Sequence, residues 1–230
     1  DKAKIMVPVA FHVILGKNDE GDISDDVIAE QIDVLNQAYR KTSFEFELAS
    51  IDRKKNKGWF KKCYKTAKFK KMTRSLAVDP ASHLNVYSCG PNNGLLGRSP
   101  LPFSYPEDDN RHGILLLHSS VPGGSAVPYD EGDTLVHEVG HYLGLLHTFQ
   151  NGCEFPGDGF PEFTVDDTPY EAEPAYGCPK GRDTCPSPGK DPVTNYMDYS
   201  DDPCLKKFSR DQSDLMDYMV EMYRPTLWGG

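Results

Sequence analysis

His137-Glu138-Val139-Gly140-His141-Tyr142-Leu143-Gly144-Leu145-Leu146-His147 sets three imidazoles, a carboxylate and a glycine at the spacings of a catalytic metal site. On an α-helix His137 and His141 lie four residues apart and project from one side about one turn apart, so both reach a single ion. His147 lies six residues beyond His141, and a continued helix would carry it about 240° around, to the opposite face. The helix must therefore stop between them. Gly144 can stop it, because glycine takes left-handed backbone angles without a side-chain clash and turns the chain back. Three neutral imidazoles suit Zn²⁺ and leave its fourth position open to water. Glu138 stands beside these ligands without being one, and its expected role is to deprotonate the attacking water and pass the proton to the leaving amine. Val136, Val139 and Leu143 fall on the other face, as a helix with one side in a core requires, and Asp133 or Thr134 is expected to cap its start. The short His-Glu-x-x-His pattern alone arises by chance, whereas the added glycine and third histidine make coincidence far rarer. A bound but inert metal is the competing reading, and Glu138 argues against it.

A second signal lies downstream at Asn195-Tyr196-Met197-Asp198-Tyr199-Ser200. Together with the extended histidine motif it resembles the metzincin clan, whose members carry a methionine-containing turn beneath the metal. Within that clan the chain is most similar to the pappalysin family of secreted metalloendopeptidases. The words that carry the resemblance are residues 137–149, Asp167-Thr168-Pro169, the turn continued through Asp201-Asp202-Pro203-Cys204, and upstream Leu84-Asn85-Val86-Tyr87 with Gly94-Leu95-Leu96-Gly97. They span most of the chain.

The resemblance implies Zn²⁺ on His137, His141 and His147, with Met197 as the hydrophobic floor beneath it. A methionine is also a polarizable space-filler, so a plain core role suits the same residue. Tyr199 is implied near the metal, where its phenol would donate a hydrogen bond to the oxyanion formed on the scissile carbonyl. Tyr142 and Tyr196 read as packing residues. Asp201 or Asp202 is implied to select Arg or Lys on the primed side of the scissile bond. Calcium is implied in the segment holding Asp158, Asp166, Asp167 and Thr168. Hard oxygens in an irregular loop suit Ca²⁺, the spacing is not that of an EF-hand, and acids in a solvated loop are the plain alternative. A strand at Gly113 to His118 is expected at the cleft rim, aligning an extended peptide by main-chain hydrogen bonds. His12, His83, His112 and His118 have no motif spacing and read as structural.

Six cysteines, Cys63, Cys89, Cys153, Cys178, Cys185 and Cys204, lack zinc-finger spacing. Beside a complete histidine site, an even count favours disulfides and an oxidising compartment. Fifteen complete pairings are open on the sequence alone. Similarity to pappalysins implies Cys153 with Cys185 and Cys178 with Cys204, leaving Cys63 with Cys89. Secretion to the extracellular space follows as the expectation. The first residues, Asp1-Lys2-Ala3-Lys4, lack the apolar core of a secretory signal, consistent with a mature form. No apolar run approaches a membrane span.

Ile5 to Leu15 reads as a strand rich in Val and Ile. Asp26 to Tyr39 places Val27, Ile28, Ile32, Leu35 and Ala38 at helical intervals, capped by Ser24 or Asp25. Phe44 to Leu48 alternates like a half-buried strand, and His83 to Ser88 reads as another. After the zinc helix comes a long irregular segment from Asn151 to Thr194, and Ser209 to Tyr223 reads as a closing helix with Leu215, Met219 and Met222 on one side. The fold class expected is α+β, a metzincin-like catalytic domain over residues 1–230. Its upper lobe, about 1–146, would hold a mixed twisted sheet and the zinc helix. Its lower lobe, about 147–230, would be irregular and disulfide-stapled, with a C-terminal helix.

The formal net charge is −10, yet Arg53 to Lys71 holds ten of the twenty-five basic residues and no acid. With Trp59, Phe60, Tyr64 and Phe69 interleaved, that stretch could grip a nucleic acid, although such a run is more often a solvated loop face. The acidic remainder repels nucleic acid and favours basic peptide segments. Protein or peptide substrates are thus the expected partners, with no nucleic acid and no stated oligomeric state. The competing functions are a secreted binding module that keeps the fold and its metal, and a zinc hydrolase of a different substrate.

Overall fold

The computed structural model describes residues 4–154 and 165–229. A five-stranded sheet is built from β1 (Ile5–Leu15), β2 (Phe44–Lys55), β3 (Leu84–Cys89), β4 (Gly97–Arg98) and β5 (Gly113–Leu117). The spatial order is β2-β1-β3-β5-β4, parallel throughout except for β4, which runs antiparallel to β5 at the edge. β1 is an internal strand, and every residue from Val9 to Leu15 is buried, the mostly apolar run, broken only by His12, of a strand covered on both faces. Pro8 lacks a backbone donor, and it precedes Val9, where pairing with β3 begins.

Side chains alternate between two cores. On one face Phe11, Val13, Val86, Ile114 and Leu116 pack with α1 (Asp25–Tyr39), α4 (Asp133–Tyr142) and α5 (Arg210–Tyr223). On the other, Ile14, Tyr87 and Leu115 pack with Trp59, Phe60, Phe69 and Met72 from α2 (Lys57–Lys62) and α3 (Thr66–Leu76). The basic stretch is therefore not a loop, although its ten basic side chains are all exposed, as on a solvated face. Arg53 to Lys55 ends β2, and α2 and α3 turn Trp59, Phe60 and Phe69 inward, away from any base that would stack on them. Ser24, rather than Asp25, caps α1 by accepting from the Val27 amide.

The sheet strands and α4 all precede residue 146. Between α4 and α5 the described chain has only turns, one isolated bridge from Asn195 to Lys207 and a short 3₁₀ turn at Asp202–Cys204. Disulfides join Cys63 to Cys89, Cys153 to Cys185 and Cys178 to Cys204. α5 begins with a capping box between Ser209 and Gln212, and α6 (Pro225–Gly229) ends the described chain. The buried stripe of α5 is Leu215, Met216, Met219 and Val220, while Met222 is exposed. Among the described residues no helix is long and apolar enough to cross a membrane.

Candidate active site

α4 presents His137 and His141 from the same face, and the chain then leaves the helix as the motif requires. Gly144 adopts φ 113°, and its Cβ position is already filled by Met219, so no other residue fits that turn. The turn returns His147 to its partners. The nitrogens of His137, His141 and His147 lie within 4.8 Å of one another, and among the described residues this is the one set of three or more His, Cys, Asp or Glu side chains close enough to share a metal ion.

Each imidazole is oriented through its other nitrogen. Nδ1 of His137 donates to the Tyr196 carbonyl (2.7 Å), Nδ1 of His141 to the Leu145 carbonyl (2.7 Å), and Nδ1 of His147 to Gln150 Oε1 (3.2 Å). The three Nε2 atoms are left as lone-pair donors toward a common centre, which is the donor set a zinc ion takes. Burial lowers all three imidazole pKa values, that of His141 to about 3, so each is neutral as a ligand must be. Tyr196 therefore packs, as expected, and also supplies the carbonyl that fixes His137. That role and those of Leu145 and Gln150 carry no motif spacing.

Met197 is fully buried beneath the helix, against Gly140, whose absent side chain leaves room for the sulfur. The Met197 amide donates to Asn195 Oδ1 (2.9 Å), and its carbonyl accepts from the Thr148 amide (3.2 Å), one residue past His147. Tyr199 follows with its hydroxyl 3.2 Å from His147 Nε2. Phe149 stacks on His147 with ring centroids 4.8 Å apart and meets Tyr199 edge-on at 4.9 Å. Desolvation raises the Tyr199 phenol, with Glu138 adding to the shift, so the hydroxyl stays protonated.

Glu138 lies in the same cleft, 7% exposed, and burial pushes its carboxyl up to about 8 against the pull of Arg98. The cleft encloses about 790 Å³ and is walled on one side by β4 and on the other by the Met197 turn. The rim strand is thus β4 rather than Gly113 to His118, because β5 is paired on both edges, by β3 and by β4.

The start of α4 also differs from expectation. Neither Asp133 nor Thr134 caps it. Gly132 is the N-cap at φ 95°, and the carboxylate of Asp202 accepts from the amides of Glu131 (2.9 Å) and Asp133 (3.4 Å). Asp133 and Asp202 both line the cleft, and burial raises them, to about 8 and about 6. Asp201 instead accepts from the Gly177 amide (3.0 Å). Of the acids suggested for calcium, Asp158 lies outside the described residues. Asp167 accepts from the amides of Arg210 and Asp211 at the start of α5, and Thr168 donates to Ser209 (3.2 Å). Asp166 is joined to the same place through its amide, which donates to Asp211.

Residues 124–221 match the pregnancy-associated plasma protein-A family of M43 peptidases. Extracellular metalloprotease 1 of Coccidioides posadasii is 41% identical over 228 residues, covering 97% of this chain and 79% of its own length. The extracellular metalloprotease of Arthroderma benhamiae is 40% identical, covering 96% and 74%. Mature mirolysin of Tannerella forsythia, solved in complex with a cleaved peptide, superposes with a TM-score of 0.81 at 26% identity, over 100% of this chain and 97% of that one. With extracellular metalloproteases aligned along nearly its whole length and three histidines set to share one metal ion, the chain belongs to the pregnancy-associated plasma protein-A (pappalysin) family of metalloendopeptidases.

Proposed function

We propose that this chain is a secreted endopeptidase in which His137, His141 and His147 hold Zn²⁺, Glu138 is the general base and acid, and Tyr199 steadies the oxyanion. One observation carries the reading: three imidazole Nε2 atoms aimed at one point beside a buried carboxylate in a long cleft. Zinc in such a site supplies Lewis acidity that makes water deprotonable near neutral pH. Glu138 then takes the proton from the attacking water and returns it to the leaving amine. The Tyr199 hydroxyl, protonated and above His147, donates to the oxygen that gains charge. Carbonyls that hold the imidazole Nδ1–H groups keep the ligands aligned through the cycle. Relatives named as extracellular metalloproteases support secretion, as do the three disulfides.

Substrates are proposed to be proteins or peptides with Arg or Lys on the primed side. Asp202 supports this by lining the cleft, with Asp133 beside it as a second carboxylate. Asp202→Asn should raise KM for Arg and Lys peptides while leaving a neutral peptide unaffected. Calcium completes the proposal, supported by the gathering of Asp166, Asp167 and Thr168 at the α5 start, where an oxygen-rich irregular segment has little core of its own. Selective calcium removal should lower Tm, and an unchanged Tm removes calcium from the reading. The mechanism is tested with Glu138→Ala, which should retain stoichiometric zinc and lose peptide hydrolysis by roughly a hundredfold or more. A fully active variant refutes it.

A further inference from the structure

Arg98 and Ser99 line both the active-site cleft and a second cavity of about 190 Å³ on the far side of the rim strand. Lys70 and Arg111 also line that cavity, and no Asp or Glu does. Arg111 is already neutralised, its guanidinium bonded to both carboxylate oxygens of Asp109 at 2.9 and 2.6 Å, and Lys70 is exposed.

Arg98 is different. Its Nη1 donates to the Tyr64 carbonyl (3.0 Å) and its guanidinium lies 4.9 Å from the centre of the Phe69 ring, yet among the described residues no carboxylate is bonded to it. The charge is fixed, since arginine does not deprotonate in proteins, and the group is partly withdrawn from water. A guanidinium held against an aromatic face, with donors left over, no carboxylate bonded to it and only the longer-range pull of Glu138, is pre-organised for an external carboxylate, which its planar fork matches.

Its place along the cleft identifies whose carboxylate. A Cβ at Gly97 would stand 2.6 Å from the Glu138 side chain, so β4 passes directly against that carboxylate. Arg98 is one residue, roughly 3.3 Å, further along. β4 is the sheet edge and the cleft wall, open to an extended peptide as an added strand. A side chain two or three positions from the scissile bond would then lie at the guanidinium.

We infer that Arg98 is a specificity-determining residue that binds the side-chain carboxylate of an Asp or Glu in the substrate peptide, close to the bond that is cut. The inference rests on the peptide-hydrolase reading of the cleft. It gives the cleft two poles, with Asp202 for a basic side chain and Arg98 for an acidic one.

The test compares peptides that differ only by Glu or Gln at each of several positions around a cleaved bond, with kcat and KM read separately. At one position within three residues of the bond, Glu should lower KM roughly tenfold relative to Gln, the size of a charge-assisted hydrogen bond. Arg98→Gln should erase that ratio, and Arg98→Glu should reverse it in favour of Lys at the same position. Equal KM values for Glu and Gln at every position in the unsubstituted protein overturn the inference, as does a ratio that survives Arg98→Gln. Because each ratio is internal to one protein, lowered overall activity of a variant does not obscure it. A binding arm separates this inference from the hydrolytic reading: Glu138→Ala protein is titrated with the same labelled peptides by fluorescence anisotropy. Should no peptide be hydrolysed, the hydrolytic reading fails, while tighter binding of the Glu peptide supports the anion subsite and equal binding overturns it.

Discussion

Each metal-facing imidazole is committed by its own Nδ1 hydrogen bond before any ion arrives, so the ligand set is a property of the backbone around α4 as much as of three histidines. Tyr199 belongs to the same constellation but with a separable function, because its ring packs on Phe149 and His147 while its hydroxyl alone reaches the cleft chemistry. Tyr199→Phe keeps the packing and deletes the donor. Its kcat should fall by roughly a hundredfold with zinc content and Tm unchanged, and an equal kcat in steady-state assays would show that the phenol is merely structural. Gly140 tests the floor of the site. A methyl group there would fall on the Met197 sulfur, beneath a helix that cannot recede because Val136 and Val139 are fully buried on its core side. Gly140→Ala should therefore cost about 1–3 kcal/mol in urea unfolding. At this scale the sequence was most legible: His137, Glu138, His141, Gly144 and His147 carry their geometry in their spacing, whereas Tyr196, Leu145 and Gln150 act through a carbonyl or an amide that no residue pattern marks.

At the scale of elements, legibility depended on whether an element's partner was local. Helix periodicity disclosed α1 and α5, and a stretch rich in Val, Ile and Phe disclosed β1. α2 and α3 were hidden because lysine outnumbers every other residue type across them, and the four side chains that enter the core, Trp59, Phe60, Phe69 and Met72, are too sparse to dominate the pattern. The start of α4 was misread for a related reason. Local reading looks for a cap in the flanking residues, while the acceptor here is Asp202, 69 residues beyond Asp133. That arrangement buries two neighbouring acids, and both have native pKa values above that of an unfolded aspartate. The sign follows from proton binding: between about pH 4 and the raised native values, the folded state holds more protons than the unfolded one, so this pair's contribution is full at low pH and is lost as pH rises through about 6 to 8. Asp133→Asn removes the charge that must otherwise be buried. In urea melts the variant should gain stability over the parent at pH 8 and lose most of that advantage at pH 5, and a gap independent of pH would refute the account.

Across the whole molecule, two kinds of cohesion meet at the cleft. The sheet and its helices hold by two apolar cores, which hydrophobic patterning makes readable. The described chain between α4 and α5 has neither period nor continuous core, and its cysteines announced staples without naming their partners, a choice that came from family resemblance. Its other support is polar and was invisible in the sequence. Arg182 donates to Glu171 (2.5 Å) and Asp191 (2.6 Å), whose side chains are both fully buried, and to the carbonyls of Glu173 and Pro174. The second Glu171 oxygen accepts from the Thr148 hydroxyl (2.7 Å), next to His147. The cation thus connects the turn-rich segment to the third imidazole. Replacing one partner of such a cluster costs more than the cluster's net worth, because the remaining charges stay buried without compensation. Arg182→Met should destabilise the protein by about 3–5 kcal/mol in urea unfolding. The double variant with Glu171→Gln should recover part of that loss, because one stranded carboxylate is then neutral. If the chain between α4 and α5 is the weaker part, the single variant should also raise hydrogen exchange there and around His147 before it does so in β1 and β3. Uniform loss of protection across the sheet would instead mean that the two regions unfold as one cooperative unit.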